Sequence, residues 1–391
     1  MSDIAQSVAR AASLFTALRA NAAEAEAIRR LPERNIQLIK EAGLFRITVP
    51  RHFGGDECNV RRQLEISSEL ARACGASGWV TMILNASAWV AALFTERAQH
   101  EIWGGNPDAR VCSVLTGNTV KARKVENGLI LSGNWPFASG SLHADWALLG
   151  MPLMDDTSQA VGEALSLVPI SDLEIKDTWF TAGLRGTGSN TLVAADIFVP
   201  DHRVLDVGRA MAGSPASEHA KDAPAYRAAF VPVVALVLVG PALGLARAAM
   251  EHFIEAAPRR GILYTWHSKQ AEATVAHLQI AEAAMKIDSA HLHAFRAADE
   301  IDQWAANDTT PDLRQRARIR ADLGHAASLC RDAVNLLLGA SGGSSVSETN
   351  AMQRIWRDVN TANLHAVVSP ATNMELYGRI LLGQPPHTTM V

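Results

Sequence analysis

Apolar and polar positions follow two different periods along this chain, and the change of period divides it into three. From residue 4 to 110 apolar residues recur at spacings of three and four, as helices buried by one face require. The Ala-rich run 5–27 carries Val8, Ala12, Leu14 and Leu18 in that pattern, and Pro32-Glu33 opens the next helix. Runs 60–74 and 77–94 continue it, with Gly75 and Gly78 read as breaks. Near Arg110 the character changes. Short β-branched and apolar runs (111–115, 121–126, 129–132, 146–151, 164–169, 191–199) are separated by Gly, Asn, Asp and Pro. Glu126-Asn127-Gly128 between two of them is a hairpin signal, and the set predicts a small β-barrel or sandwich. After a polar stretch at 211–225, helical periodicity returns and persists to about Leu382. The long amphipathic runs 272–306 and 312–338 predict an antiparallel bundle. The expected fold is α+β, mainly α: an N-terminal helical domain (1–110), a β domain (111–215) and a C-terminal four-helix bundle (216–391).

The composition narrows the function classes. Of 391 residues, 48% are hydrophobic and 19% charged, an ordinary globular balance with room for a large core. A net charge of −4 provides no electrostatic footprint for nucleic acid. Residues 229–246 carry no charge, but Pro232 and Gly240-Pro241 interrupt them and no basic cluster flanks them. A buried central helix is expected there, not a membrane span. Cys58, Cys74, Cys112 and Cys330 form no Cys-x-x-Cys pair, so no structural zinc is expected, and the pattern suits a reducing cytoplasm. The N-terminus lacks the basic and apolar regions of a signal peptide. His291 and His293, two residues apart on a helix, point to different faces, and no metal site is expected. There is no Gly-x-Gly-x-x-Gly after a strand and no Walker A sequence.

Five segments carry chemistry. Gln353-Arg354-Ile355-Trp356-Arg357-Asp358 resembles the C-terminal flavin-site run of the acyl-CoA dehydrogenase superfamily. In many dehydrogenases of that family a proton-abstracting glutamate follows the Arg-Asp pair by about two helical turns. Here Ala366 takes that position, with His365 beside it. A methyl group cannot abstract a proton, whereas an imidazole exchanges one near neutral pH. Leu131-Ser132-Gly133-Asn134-Trp135-Pro136-Phe137-Ala138-Ser139-Gly140 is similar to the family's flavin-facing strand. The resemblance implies that Phe137 contacts flavin and that the Ser139 hydroxyl lies near its N5 and O4 edge. Trp179 to Ser189, with Gly183-Leu184-Arg185-Gly186-Thr187-Gly188, resembles a further flavin-lining element. A tight connection between strands is an equal reading of it, and Trp179 is its candidate contact. Arg259-Arg260 with Gly261 resembles a site whose arginine holds flavin phosphates; Arg260 is preferred and Arg259 is the alternative. Gly342-Gly343 is similar to a turn that approaches the cofactor of a neighbouring subunit.

Together these segments place the chain with the oxygenase components of two-component (group D) flavin-dependent monooxygenases, nearest to hydroxylases of indole-like or phenolic rings. The resemblance implies reduced FAD or FMN, with FAD preferred, and O2 reacting to a C4a-hydroperoxide. It also implies a separate NAD(P)H:flavin reductase, a homotetramer and a small aromatic substrate, with indole the first choice. His365 would handle the substrate proton and Ser139 would hold the oxygen adduct. Ser113 is a candidate peroxide contact or an ordinary strand serine. Ser87 stands where several relatives carry a substrate-facing histidine, and Ser87 and Trp89 are expected to line the substrate site. The rival readings are an acyl-CoA dehydrogenase, an N-hydroxylase of an amine or amino sugar, and a flavin-free scaffold or binding protein.

Overall fold

The computed structural model describes residues 3–117, 119–157 and 159–391. The N-terminal region is helical: α1 (Asp3–Ser13), α2 (Phe15–Ile28), α3 (Glu33–Glu41), α4 (Val60–Ala73), α5 (Gly75–Ala91) and α6 (Glu96–Trp103). One expectation fails here. The chain breaks at Cys74, which is extended (φ −154°, ψ 113°), whereas Gly75 begins α5 and Gly78 lies inside it. A Cβ at Gly78 would sit 2.5 Å from the Ala71 Cβ, so this glycine is a packing contact between α4 and α5 and not a terminator.

The β region holds β1 (Val111–Val114), β2 (Lys121–Val125), β3 (Gly128–Ala138), β4 (Trp146–Met154), β5 (Ala160–Pro169), β6 (Glu174–Lys176), β7 (Asn190–Pro200) and β8 (Val204–Asp206). They form two four-stranded sheets, ordered β1-β4-β5-β8 and β2-β3-β7-β6. Leu131, Trp135 and Leu192 from one sheet and Ala147 and Leu149 from the other are fully buried in a shared core. The Trp135 indole donates to Gly150 O at 2.8 Å and ties the sheets together. β2 and β3 join as the expected hairpin, with Asn127 at φ 59°.

Short helices α7 (Val207–Met211), α8 (Glu218–Asp222) and α9 (Pro224–Arg227) run back over the N-terminal helices. There His219 Nε2 meets Glu57 at 2.6 Å, and Tyr226 donates to Thr48 O at 2.9 Å.

The uncharged run becomes α10 (Phe230–Leu236), a single 3-10 turn, and α11 (Gly240–Ala256). Pro232 and Pro241 both fall in first turns, where the missing N–H would have no intrahelical partner. Residues 230–259 are long and apolar enough to cross a membrane, yet 83% of their most apolar window is buried inside the protein. Gly240 and Gly244 explain how. Their added Cβ atoms would lie 1.8 Å from Ser67 Oγ and 2.2 Å from Ser68 O, so α11 presses its backbone against α4.

The bundle is completed by α12 (Thr274–Ala306), α13 (Leu313–Ala340), α14 (Ala351–Ala362) and α15 (Pro370–Leu381). Buried alanines on α12 (Ala276, Ala283, Ala290, Ala294, Ala297) allow close packing. Asp312 and Gln315 form a capping box that starts α13. From α12, Asp302 accepts the Val60 and Arg61 N–H groups at 2.8 and 3.0 Å, satisfying the orphan donors that open α4. All four cysteines are free and buried, and burial pushes the Cys58 and Cys112 thiols up to about 11 and 12, which makes them poor nucleophiles.

Candidate active site

A fault in the β3–β7 ladder creates the site. The register shifts between Trp135 and Ala138, and inside the bulge Phe137 takes φ 67°. A bulge bends the strand and re-aims a side chain. Here it turns Phe137 out, leaving the ring 70% exposed, while Ala138 and Ser139 return to the interior. Phe137 stands edge-to-face with Trp179, ring centroids 6.1 Å apart. Trp179 is fastened by its neighbours: Asn190 Oδ1 accepts the Thr178 and Trp179 N–H groups, and the Trp179 indole donates to Leu184 O at 2.9 Å.

Behind these rings lies a chain of hydroxyls. Thr187 Oγ1 donates to Leu184 O at 2.8 Å; Thr187 and Ser189 are 2.7 Å apart, Ser189 and Ser139 2.7 Å. Ser139 also accepts the Trp79 indole N–H at 3.1 Å. The turn that presents Thr187 is anchored from α14, where Asp358 Oδ1 accepts the Leu184 N–H at 2.6 Å. That approach needs Gly183, since a Cβ there would lie 2.2 Å from Arg357 O. Burial pushes the Asp358 carboxyl up to about 6, and the bond from Leu184 opposes that rise. The glycine-rich motif is therefore a tight connection that also builds the hydroxyl chain.

His365 follows α14 and caps a 3-10 turn at 366–368, its Nδ1 accepting the Val367 N–H at 3.3 Å. Its ring centroid is 6.1 Å from that of Trp79, the residue bonded to Ser139. The ring has an open face but sits in a crowded recess, where desolvation holds its pKa below the usual value. A neutral ring with Nδ1 accepting carries its proton on Nε2 and presents a donor. Ala366 is exposed beside it.

Ser87 and Ser113 also meet, Oγ to Oγ at 2.8 Å, with Ser87 further bonded to Ile83 O at 2.7 Å. Trp89, two residues on, turns away from them. It is fully buried against Phe230, and its indole donates to Ala225 O at 2.7 Å. It lines a cavity of about 400 Å³ with Leu93, Met211, Tyr226 and Trp304, none of which belongs to the hydroxyl chain.

Arg260 and the 342–343 turn come together in a second cluster. Arg260 Nη1 donates to Ser341 O at 2.7 Å and its Nε to Gln270 at 2.8 Å, while its Nη2 is buried with no partner. Arg259 instead turns to Glu255 at 3.2 Å. Gly342 has φ 68°, and nothing lies within 4 Å of a Cβ added to either glycine. A partnerless guanidinium nitrogen beside an open glycine turn fits a phosphate group. An exposed ring at Phe137 and a half-buried one at Trp179, beside a buried hydroxyl, fit an isoalloxazine.

Sequence reading missed Trp79 and assigned no role to Thr187, Ser189 or Asp358. Trp79 carried no signal beyond an apolar helix position. It also expected no metal ligands. The fold brings His52, Glu57 and His219 within 4.8 Å of one another, from segments whose spacing signals nothing.

Comparison with known proteins agrees with this geometry. The N-terminal domain family of acyl-CoA dehydrogenases matches residues 3–104, and their C-terminal domain family matches 236–370. The flavin-dependent monooxygenase oxygenase subunit HsaA of Mycobacterium tuberculosis is 34% identical over 99% of this chain and 98% of its own. The oxygenase component of an FADH2-dependent resorcinol hydroxylase from a Rhizobium strain is 31% identical over 97% of this chain and 94% of its own. XiaF from Streptomyces, solved with FADH2 and glycerol, superposes with a TM-score of 0.94 at 34% identity, covering 99% of this chain and 98% of that one. With these relatives matched nearly end to end, the chain belongs to the acyl-CoA dehydrogenase superfamily, among the oxygenase components of flavin-dependent monooxygenases.

Proposed function

We propose that this protein hydroxylates a small phenolic ring, using reduced FAD or FMN delivered by a separate NAD(P)H:flavin reductase. When bound, reduced flavin supplies the electron pair that activates O2, so that one oxygen atom enters the substrate and the other leaves as water. Phe137 and Trp179 provide the rings against which the flavin packs, and Ser139 faces its reactive edge. Arg260 and the Gly342-Gly343 backbone hold its phosphates. FAD is preferred, in line with the FADH2 named for XiaF and for the resorcinol hydroxylase.

The observation that carries the substrate class is the contact of His365 Nδ1 with the Val367 N–H at 3.3 Å. A neutral ring engaged at Nδ1 keeps its proton on Nε2, which is then the atom free to donate. A phenol that has given its proton to water binds as the phenolate; its oxygen accepts that bond, and its charge makes the ortho and para carbons nucleophilic. Indole, the first choice from sequence, offers an N–H donor there and does not match. Ser87 and Ser113 supply further polar contacts.

A homotetramer fits the surface. Val275, Leu278, Met285 and Leu292 are 51–68% exposed along α12 at spacings of three and seven, an apolar stripe on one helix face. The 342–343 turn is open for a neighbouring subunit. Four buried thiols suit a reducing cytoplasm.

The test mixes anaerobically reduced FAD or FMN with the protein, then admits 18O2 with resorcinol or indole. Hydroxylated resorcinol carrying one 18O atom, with little indole product, is expected. Preferential indole oxygenation would reverse the substrate class. Reduction of bound oxidised flavin by an acyl-CoA would return the protein to the dehydrogenases.

A further inference from the structure

The hydroxyl chain behind Ser139 has a direction, and it follows from counting protons. Each hydroxyl owns one proton and can donate one hydrogen bond. Thr187 Oγ1 spends its proton on Leu184 O at 2.8 Å. The 2.7 Å contact between Thr187 and Ser189 then requires Ser189 to donate. With the Ser189 proton spent, the 2.7 Å contact to Ser139 requires Ser139 to donate inward. The Trp79 N–H, which can only donate, fills one Ser139 lone pair at 3.1 Å. Ser139 is left with one lone pair and no proton to offer outward. All four groups lie within a few per cent of full burial, so water does not rescue the alternative: Trp79 is 5% exposed, Ser139 6%, Thr187 2% and Ser189 3%.

We infer that Thr187 and Ser189 are positioning residues that favour Ser139 as a hydrogen-bond acceptor, and that this strengthens the preference of the site for reduced over oxidised flavin. The inference rests on the reduced-flavin reading above. The N5 atom of an oxidised isoalloxazine is a bare acceptor. Two-electron reduction adds a hydrogen and turns it into a donor. An acceptor-only Ser139 pairs with the reduced ring and opposes the oxidised one. Reversing the chain so that Ser139 donates outward requires Thr187 to give up its bond to Leu184 O, a carbonyl that keeps the Trp179 indole N–H at 2.9 Å and the Thr187 N–H at 3.1 Å. The difference is at most one neutral hydrogen bond, so the discrimination it supplies is about two- to tenfold. Trp79 adds to the effect by taking the other lone pair, which fixes the direction of the free one. An oxygenase fed by a separate reductase gains from this wiring, because spent oxidised flavin is released and fresh reduced flavin is retained.

The test is anaerobic equilibrium binding of reduced and oxidised FAD to the folded protein and its variants, read as the ratio of the two dissociation constants. Ser189→Ala frees the Ser139 proton, so the preference for reduced flavin is expected to fall about two- to tenfold, mainly through tighter oxidised-flavin binding. Ser189→Thr keeps the hydroxyl and is expected to keep the ratio. Thr187→Val, which lets Ser189 turn its proton toward Ser139, repeats the Ser189→Ala result and replaces it if that variant does not fold. Equal weakening of both flavin forms, or an unchanged ratio in Ser189→Ala and Thr187→Val, would overturn the inference and leave a structural role. Wild-type protein that binds neither form would instead overturn the flavin reading itself.

Discussion

Asp358 and Leu184, 174 residues apart in sequence, share a hydrogen bond of 2.6 Å from the Leu184 N–H to the buried Asp358 carboxylate. It joins the α14 helix, which leads into His365, to the turn that carries Thr187 and Ser189. Together with the bond from Arg357 to Ala182 O, it ties the bundle to the sandwich at the site. Asp358→Ala leaves a buried N–H unpartnered and is expected to cost about 1–3 kcal/mol in denaturant unfolding. Asp358→Asn keeps an acceptor oxygen and should cost less. Equal losses in the two variants would show that the bond is not what Asp358 contributes.

His365 is expected to serve the substrate and not the flavin. His365→Ala should lower hydroxylation about 100-fold, within the span of a lost general acid or base. Reduced-flavin binding should stay within about twofold, since no contact in the second cluster is touched. The consumed oxygen should then appear as hydrogen peroxide, and assay of product and peroxide in the same reaction reads the split. A parallel loss of flavin affinity would assign His365 to the cofactor.

Arg260 and Arg259 separate two readings that sequence left open. Arg260→Ala removes the guanidinium whose Nη2 is buried without a partner, and flavin affinity should fall about ten- to a hundredfold. Arg259→Ala removes only a surface contact to Glu255 and should bind flavin as the wild type does. Fluorescence titration with each variant decides between them, and the reverse order would move the phosphate site to Arg259.

The Asp302 carboxyl, which caps α4, is pushed up by burial to about 6, from the ordinary value of 3.8. The folded state therefore holds this proton more tightly than the unfolded chain. The resulting stability is fully present below about pH 4 and is lost as pH rises through about 6. Asp302→Asn removes that dependence. Relative to Asp302→Asn, the wild type should gain stability as pH falls from 7 to 4, by at most about 3 kcal/mol. Urea unfolding across that window measures it, and a constant difference between the two proteins would contradict it.

Two kinds of information met in this protein. The order of helices, sandwich and bundle was legible in the sequence because the period of apolar positions is a local property: 3.6 for a helix face, 2 for a strand. The monooxygenase family was equally legible, since its motifs are short runs of adjacent residues that stand in the sequence in order. Gly78 and Trp89 show where local reading stopped. A glycine that lets α4 touch α5 looks the same in sequence as one that ends a helix. A tryptophan two residues from Ser87 turns to another face of α5 and packs on Phe230. The hydroxyl chain, the Asp358–Leu184 bond and the unpartnered Arg260 nitrogen were decided only by tertiary structure. Each depends on which atoms from distant segments come within about 3 Å in a water-poor interior, and no spacing along the chain encodes that.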